Sequence, residues 1–225
     1  MLPATFKDLC IDVVDEERMT AFWAAALGLE PRTHEDGDVQ LVGPTPQHGV
    51  WVNQVPEART VKQRVHLDVH APSVTEYESM GARVLPGWGP FGWTVMADPE
   101  GGELCVFERD EVPAYRLYEL GVDSADPAGI AQWWGDVLGA HAGREEQCAY
   151  IDQVPGMPFE SIVFAPVPEP KSVKNRIHWD IGVGDQDDLD ALQAHGATVL
   201  RPADDEIGWT VMADPEGNEF CVHLG

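Results

Sequence analysis

The feature that most constrains the fold is a stretch that occurs twice. Gly92–Gly101 returns unchanged as Gly208–Gly217, and extending both copies to Val106 and Val222 leaves thirteen of fifteen positions identical. Each copy predicts a strand, a tight turn and a second strand, because Pro presets φ, Asp bonds the backbone ahead and Gly tolerates positive φ. A duplicated hairpin predicts a duplicated structural unit.

A strand followed by an amphipathic helix opens each repeat. Asp8–Asp15 alternates polar and apolar residues with period two, which predicts a half-buried strand. Asp15 can cap the next helix, whose apolar residues recur at helical spacing until Gly28. The second repeat has a strand at Glu119–Asp123 and a helix that begins near Asp126. The shared order predicts two domains, residues 1–110 and 111–225.

Charge and hydropathy narrow the possible partners. The chain has 225 residues, with 14 Lys and Arg against 39 Asp and Glu, a net charge of −25. An acidic surface repels phosphate backbones and anionic lipids, so we expect no nucleic-acid and no membrane partner. No apolar run approaches the length of a membrane span or of a signal peptide core, which predicts a cytoplasmic protein.

The sequence indicates structural roles for the cysteines and for the tryptophans of the predicted strands. The four cysteines contain no CxxC pair, which predicts reduced thiols. The strand tryptophans are interpreted as core residues, although Trp51 could line a pocket. These four residues are Trp51, Trp93, Trp179 and Trp209.

A second strand in each repeat carries a histidine on its polar face, at His66 and at His178. Because successive side chains of a strand point to opposite faces, this polar face turns away from the helices in both repeats. We expect each repeat to line one concave pocket on this side, with ten residues in all. They are Asp8, Asp12, His66, Asp68 and Cys105 in the first repeat, and Glu119, Asp123, His178, Asp180 and Cys221 in the second.

The order of these motifs resembles the vicinal oxygen chelate superfamily, which includes glyoxalases, extradiol dioxygenases and bleomycin-resistance proteins. The resemblance covers Phe6 to Leu224 in two copies, as tandem glyoxalase-like domains. It implies an α+β fold in which each domain contains two βαβββ modules that form a curled mixed sheet around a pocket. It also implies that the four modules can complete two pockets within one chain. The protein is therefore expected to be a monomer or a homodimer.

The resemblance further implies a divalent metal held by residues from three strands. Carried over by position, the first ligand is Asp8 or Glu119 and the second is His66 or His178. The third position, a Glu in the metalloenzymes of the family, is Cys105 or Cys221 here. Because of this departure we expect either no cofactor or an unusual site for Zn, Ni, Fe or Mn.

Three functional hypotheses follow, and none assigns a catalytic residue. In the first, the protein binds a small organic molecule in acidic concave pockets without a standard metal site, as bleomycin-resistance proteins do. In the second, it is a divalent-metal-dependent lyase, isomerase or dioxygenase. In the third, only one repeat binds a ligand. The histidines could instead bond neighbouring carboxylates, or one could serve as the base for a nucleophilic thiol.

Overall fold

The computed structural model describes residues 4–87, 89 and 91–225, and it contains four βαβββ modules. The first module is β1 (Thr5–Val13), α1 (Glu16–Leu27), β2 (Glu30–Thr33), β3 (Val39–Val42) and β4 (Val50–Gln54). The second is β5 (Val65–Ala71), α2 (Val74–Ser79), β6 (Arg83–Val84), β7 (Thr94–Ala97) and β8 (Glu103–Glu108). The third is β9 (Leu117–Ser124), α3 (Pro127–Leu138), β10 (His141–Arg144), β11 (Ala149–Asp152) and β12 (Ser161–Pro166). The fourth is β13 (Ile177–Val183), α4 (Gln186–Ala194), β14 (Thr198–Arg201), β15 (Thr210–Ala213) and β16 (Glu219–Leu224).

The sixteen strands of the described residues form two open, mixed sheets of eight strands. Sheet I joins the first and fourth modules in the order β14-β15-β16-β13-β1-β4-β3-β2. Sheet II joins the second and third modules in the order β10-β11-β12-β9-β5-β8-β7-β6. The predicted α+β fold with two tandem domains is confirmed.

Strand pairing corrects one expectation, namely that each repeat lines a surface of its own. At the centre of sheet I, β1 pairs antiparallel with β13, and at the centre of sheet II, β5 pairs antiparallel with β9. Each sheet therefore takes half of its strands from each repeat. Periodicity shows which face of a strand is polar, but it does not show which module supplies the neighbouring strand. The domain boundary at residues 110 and 111 stays a prediction.

The helices cover the apolar face of the sheets. In α1 the buried residues are Met19, Phe22, Trp23, Ala24, Ala26 and Leu27, and the predicted caps are confirmed. Asp15 accepts a hydrogen bond from the Arg18 amide, and Gly28 ends the helix with φ at 69°. A side chain at Gly28 would also meet the Ala114 carbonyl oxygen at 2.0 Å. Among the described residues, no helix has the length and apolar character needed to cross a bilayer.

The repeated hairpin turn connects the two modules of one repeat, although they belong to different sheets. Glu100 Oε1 accepts the backbone N–H groups of Val14 and Asp15 at 2.9 and 2.7 Å. Glu216 Oε1 does the same for Ala125 and Asp126, at 3.0 and 2.7 Å. The glutamate of each turn thus fixes the segment between the first strand and the first helix of its own repeat.

Replacing Glu100 with Ala is expected to lower the free energy of unfolding by about 1–2 kcal/mol, because two backbone donors lose a charged acceptor at a site that water partly reaches. Glu100→Gln, which retains one acceptor oxygen, should cost less. Urea denaturation of the two variants and the wild type measures both effects. Equal stability of all three proteins would show that this contact does not hold the modules together.

Candidate functional site

Each sheet brings residues of both repeats together on the face opposite its helices. Sheet I combines Asp8 and Asp12 of β1 with His178 and Asp180 of β13 and Cys221 of β16. Sheet II combines Glu119 and Asp123 of β9 with His66 and Asp68 of β5 and Cys105 of β8. The expected grouping within repeats is therefore corrected: Asp8 shares a sheet with His178, and Glu119 shares a sheet with His66.

In sheet I the polar groups form a buried cluster. Cys10 on β1 lies opposite His178 in the strand register, and Asp180 lies opposite Cys221. The Asp180 Oδ1 atom lies 3.6 Å from Cys10 Sγ and 3.6 Å from His178 Nε2. His178 Nε2 also lies 3.5 Å from Cys221 Sγ. On the far side of the carboxylate, His223 Nε2 lies 2.8 Å from Asp180 Oδ2.

Burial sets the protonation of this cluster. It lowers the pKa of His178, which favours the neutral imidazole, although Asp180 and Asp12 act in the opposite direction. It raises the pKa of Cys10 well above its usual value, and Asp180 adds to that effect. Burial and Asp180 also raise the pKa of Cys221. His178 is therefore close enough to Cys221 to accept its thiol proton, but the surroundings disfavour a thiolate nucleophile.

In sheet II the histidine occupies a different position, because the residue equivalent to Cys10 is Gly121. A side chain at Gly121 would meet His66 Nε2 at 2.3 Å, so the imidazole fills that space. His66 Nε2 lies 3.2 Å from Asp68 Oδ1. Burial disfavours the imidazolium, yet Asp68 and Cys105 outweigh it and raise the pKa of His66 well above its usual value. Sheet II thus favours a charged histidine and sheet I a neutral one.

The acidic residues of both faces have partners that were not identified from the sequence. Lys62 Nζ lies 2.5 Å from Asp123 Oδ2, and Lys174 forms the equivalent ion pair with Asp12. Ser161 donates a hydrogen bond of 2.7 Å to Glu119 Oε1. The two lysines occupy equivalent positions in the repeats. This equivalence is the sequence signal that could have identified the two ion pairs. The faces are therefore less acidic than the carboxylate count indicates.

Asp8 has partners of its own within sheet I. Its Oδ2 atom accepts hydrogen bonds from the Trp51 indole at 3.1 Å and from Lys7 at 2.8 Å. Trp51 thus lies on the polar face of the sheet, in a half-buried position.

An aromatic ladder borders the polar face of sheet II. Phe91 and Trp93 stack with centroids 4.7 Å apart, and Trp93 stacks on Phe107 at 5.3 Å. Tyr118 and Phe107 form a T-shaped pair with centroids 5.1 Å apart, and a bulge in β9 turns Tyr118 toward this face. Phe91 is 47% exposed and Trp93 is 38% exposed.

Two of the core assignments for strand tryptophans have clear outcomes. The assignment of Trp93 was wrong, because this side chain is exposed at the edge of the polar face. Trp179 is fully buried, as predicted. A strand tryptophan at the end of a hairpin can lie on either side, and periodicity alone did not decide between them.

The donor atoms permit a test of the metal site that the resemblance implies. Two groups of donors, each within 4.8 Å of one another, occur among the described residues: Cys10, His178 and Asp180 in sheet I, and His66, Asp68 and Cys105 in sheet II. In both groups the carboxylate comes from the histidine strand instead of the first strand. Thiol with imidazole suits zinc, so the residues fit a thiophilic metal and depart from a glutamate-containing site.

Comparisons with known proteins agree with this architecture. A model of the glyoxalase-like domain matches residues 8–107 and again residues 119–223. Glyoxalase I from Zea mays has a similar structure, with a TM-score of 0.71 at 16% identity over 97% of this chain and 92% of that one. A candidate dioxygenase from Bacillus subtilis has a TM-score of 0.64 at 18% identity, over 97% and 84%. A search of curated proteins found no match to the chain. Because the family model covers most of its length in two copies, the chain belongs to the glyoxalase-like domain family.

Proposed function

We propose that the protein binds a small aromatic molecule on the polar face of sheet II, without a standard glutamate-containing metal site. The observation that carries this proposal is the exposed aromatic ladder next to buried carboxylates. An exposed indole that stacks with two other rings offers a rigid surface at low entropic cost. A planar ligand would extend this stack at the exposed side of Trp93 and Phe91.

The carboxylates beside the ladder favour a ligand that carries a cationic or hydrogen-bond-donating group. Asp68 and Glu119 lie opposite each other in the strand register. Burial raises the pKa of Glu119, the Ser161 hydroxyl opposes the shift, and the charge of Asp68 adds to it. Among the residues that the structure describes, none donates a well-directed hydrogen bond to Asp68 Oδ1, although His66 Nε2 lies 3.2 Å away. A cationic group on the ligand would offset the like charges of Asp68 and Glu119.

The equivalent face of sheet I supports ligand binding less well. Lys7 occupies the bulge position that Tyr118 has in sheet II, and His223 replaces Phe107. The cluster of Cys10, His178 and Asp180 is buried throughout. In place of the hypothesis that only one repeat binds a ligand, we propose one site on sheet II, to which both repeats contribute strands.

The test is a thermal-shift and tryptophan-fluorescence screen with planar aromatic amines and with neutral and anionic compounds of the same shape. A ligand at about 100 times its Kd should add about 2.7 kcal/mol to the free energy of unfolding. Trp93→Ala should weaken binding about 10-fold, through the loss of stacking and of cation–π attraction. Amines should bind more tightly than their neutral analogues.

Trp209→Ala is the matched control, because Trp209 occupies the equivalent position in sheet I and stacks on His223 at 5.6 Å. It should bind the ligand as tightly as the wild type. Equal loss in both tryptophan variants, or no stabilisation by any compound in the screen, would contradict the proposal.

The second candidate function is a divalent-metal-dependent lyase, isomerase or dioxygenase, and the donor group of His66, Asp68 and Cys105 favours it. A metal bound there would act as a Lewis acid on a substrate oxygen. Metal uptake by the wild type that is lost in His66→Ala would support it.

The proposal of a small-molecule-binding protein also includes a cytoplasmic location, no nucleic-acid or membrane partner, and a monomeric or homodimeric state.

A further inference from the structure

An arginine lies beside the aromatic ladder on the polar face of sheet II. Arg109 follows β8, and its backbone N–H donates to the Ala71 carbonyl at 2.8 Å, which continues the pairing of β8 with β5. Because alternate residues of a strand share a face, Arg109 lies on the same side as Cys105 and Phe107. Its guanidinium carbon lies over the Phe107 ring, 5.3 Å from the centroid, and 5.7 Å from the Tyr118 centroid. The ladder therefore includes a positive charge.

Within the part of the chain that the structure describes, no carboxylate lies within ion-pair distance of Arg109. Its Nη1 atom donates to the backbone carbonyl of Glu108 at 3.1 Å. Arg59, Arg116 and Arg176 are also half-buried, and each lies within 3.5 Å of a carboxylate oxygen. In a chain with 39 Asp and Glu, the Arg109 guanidinium thus keeps donors for an anionic group from outside the chain.

A neighbouring histidine leaves this positive charge to the arginine. The His70 and Tyr118 rings have centroids 4.6 Å apart. Burial lowers the pKa of His70 and the charge of Arg109 lowers it further, while Glu160 opposes the shift from an exposed position. The neutral imidazole is therefore favoured next to the guanidinium.

Sheet I has neither of these side chains. The position of Arg109 is Gly225 in sheet I, and the position of His70 is Gly182. The combination of a ring ladder with a guanidinium is thus a feature of sheet II.

We propose that Arg109 binds a carboxylate on the ligand of sheet II, so that this ligand is an aromatic zwitterion. The inference rests on the proposed function, which supplies the stacked ring and the cationic group beside Asp68 and Glu119. The planar fork of a guanidinium matches a carboxylate and donates two parallel hydrogen bonds to it. The ligand then carries opposite charges at its two ends, each next to a protein group of the other sign.

The strand register places the two charged ends of the face about one ring apart. Asp68 lies opposite Cys105, and His70 lies opposite Phe107, the ring under the guanidinium. Two residues along a strand advance by about 6.6 Å. An aromatic ring with an amine-bearing substituent at one end and a carboxylate at the other spans a step of this size.

The test compares para-(aminomethyl)benzoate with para-(aminomethyl)benzamide, which keeps the ring and the amine but has no negative charge. Isothermal titration calorimetry measures the Kd of each compound. The wild type should bind the acid about 10-fold more tightly than the amide, because charge-assisted hydrogen bonds are stronger than neutral ones. Arg109→Gln should remove this preference and leave affinity for the amide unchanged. Arg109→Lys should keep part of it, because lysine retains the charge without the planar fork.

Arg144→Gln is the matched control, because it removes the same charge from an exposed position on β10, an edge strand of the same sheet. It should keep the preference for the acid. Trp93→Ala should weaken both compounds equally, because both stack on the ladder. If neither compound binds the wild type, the proposed function fails and this inference fails with it. Equal affinities for acid and amide, or a preference that survives in Arg109→Gln, would overturn the inference alone.

Discussion

Trp134→Ala is expected to lower the free energy of unfolding by about 3–5 kcal/mol, the range for removing a large buried aromatic side chain. Trp134 is fully buried and packs edge-on against Trp179 and Phe220, with centroids 4.8 and 5.1 Å away. Its indole N–H also donates to Asp214 Oδ2 at 3.1 Å. The variant therefore leaves a cavity and removes a hydrogen bond to a buried carboxylate. Chemical denaturation monitored by far-ultraviolet circular dichroism measures the loss.

A matched pair of variants separates the hydrogen bond from the packing. Trp23 is the equivalent residue in the first repeat, and its buried indole N–H has no hydrogen-bond partner among the described residues. Trp134→Phe should cost about 1 kcal/mol more than Trp23→Phe, because only Trp134 loses a hydrogen bond. Equal costs for the two phenylalanine variants would mean that the indole-to-carboxylate bond contributes nothing net.

Local signals in the sequence were sufficient to predict several of the helices and strands. The aspartate and glycine at the two ends of α1 specify its start and its end, and its apolar spacing identifies the buried stripe. The repeated hairpins are strands as predicted, β7 with β8 and β15 with β16. The short strand β2 was missed, because all four of its residues are exposed and it has no alternation.

Strand alternation predicted which residues share a face, but it did not predict which strands lie next to one another. Alternation correctly indicated that His178 and Asp180 face away from the helices, but it could not show that they meet β1 of the other repeat. Lys174 was missed because it reaches Asp12 from a loop before β13, a contact of high sequence separation. Side-chain pairing between distant segments depends on register, which a single sequence does not specify.

The two sheets illustrate how one duplicated face can diverge through a few residues. Gly121 leaves room for a charged histidine in sheet II, whereas Cys10 fills that room in sheet I. The bulge of each first strand then presents either Tyr118 or Lys7 to the polar face. A bulge redirects a side chain without changing the rest of the strand. A different residue at the bulge therefore alters the polar face and leaves the rest of the strand as it is.

A second large change in the free energy of unfolding is expected at Asp98, whose carboxylate lies inside the repeated turn. Its Oδ1 atom accepts the backbone N–H groups of Glu100 and Gly102, each at 2.8 Å. It also lines a cavity of about 10 Å³ between β1 and the turn, room for about one water molecule. Burial nevertheless raises the pKa of Asp98 to about 6, against 3.8 in the unfolded chain. The folded state therefore disfavours the ionised form.

Asp98→Asn is consequently expected to raise the free energy of unfolding at neutral pH by about 2–3 kcal/mol relative to the wild type. The native state keeps its proton more tightly, so the contribution of Asp98 is fully present below pH 4 and is lost as the pH rises through 6. Asparagine keeps the acceptor oxygen and does not ionise. The difference in unfolding free energy between variant and wild type should therefore grow between pH 4 and pH 7, measured by urea denaturation at each pH. Asp214→Asn should give a smaller gain, because burial also raises the pKa of Asp214, but both of its oxygens accept hydrogen bonds, including the one from Trp134. A difference for Asp98→Asn that stays constant across this range would show that the turn holds its carboxylate ionised throughout.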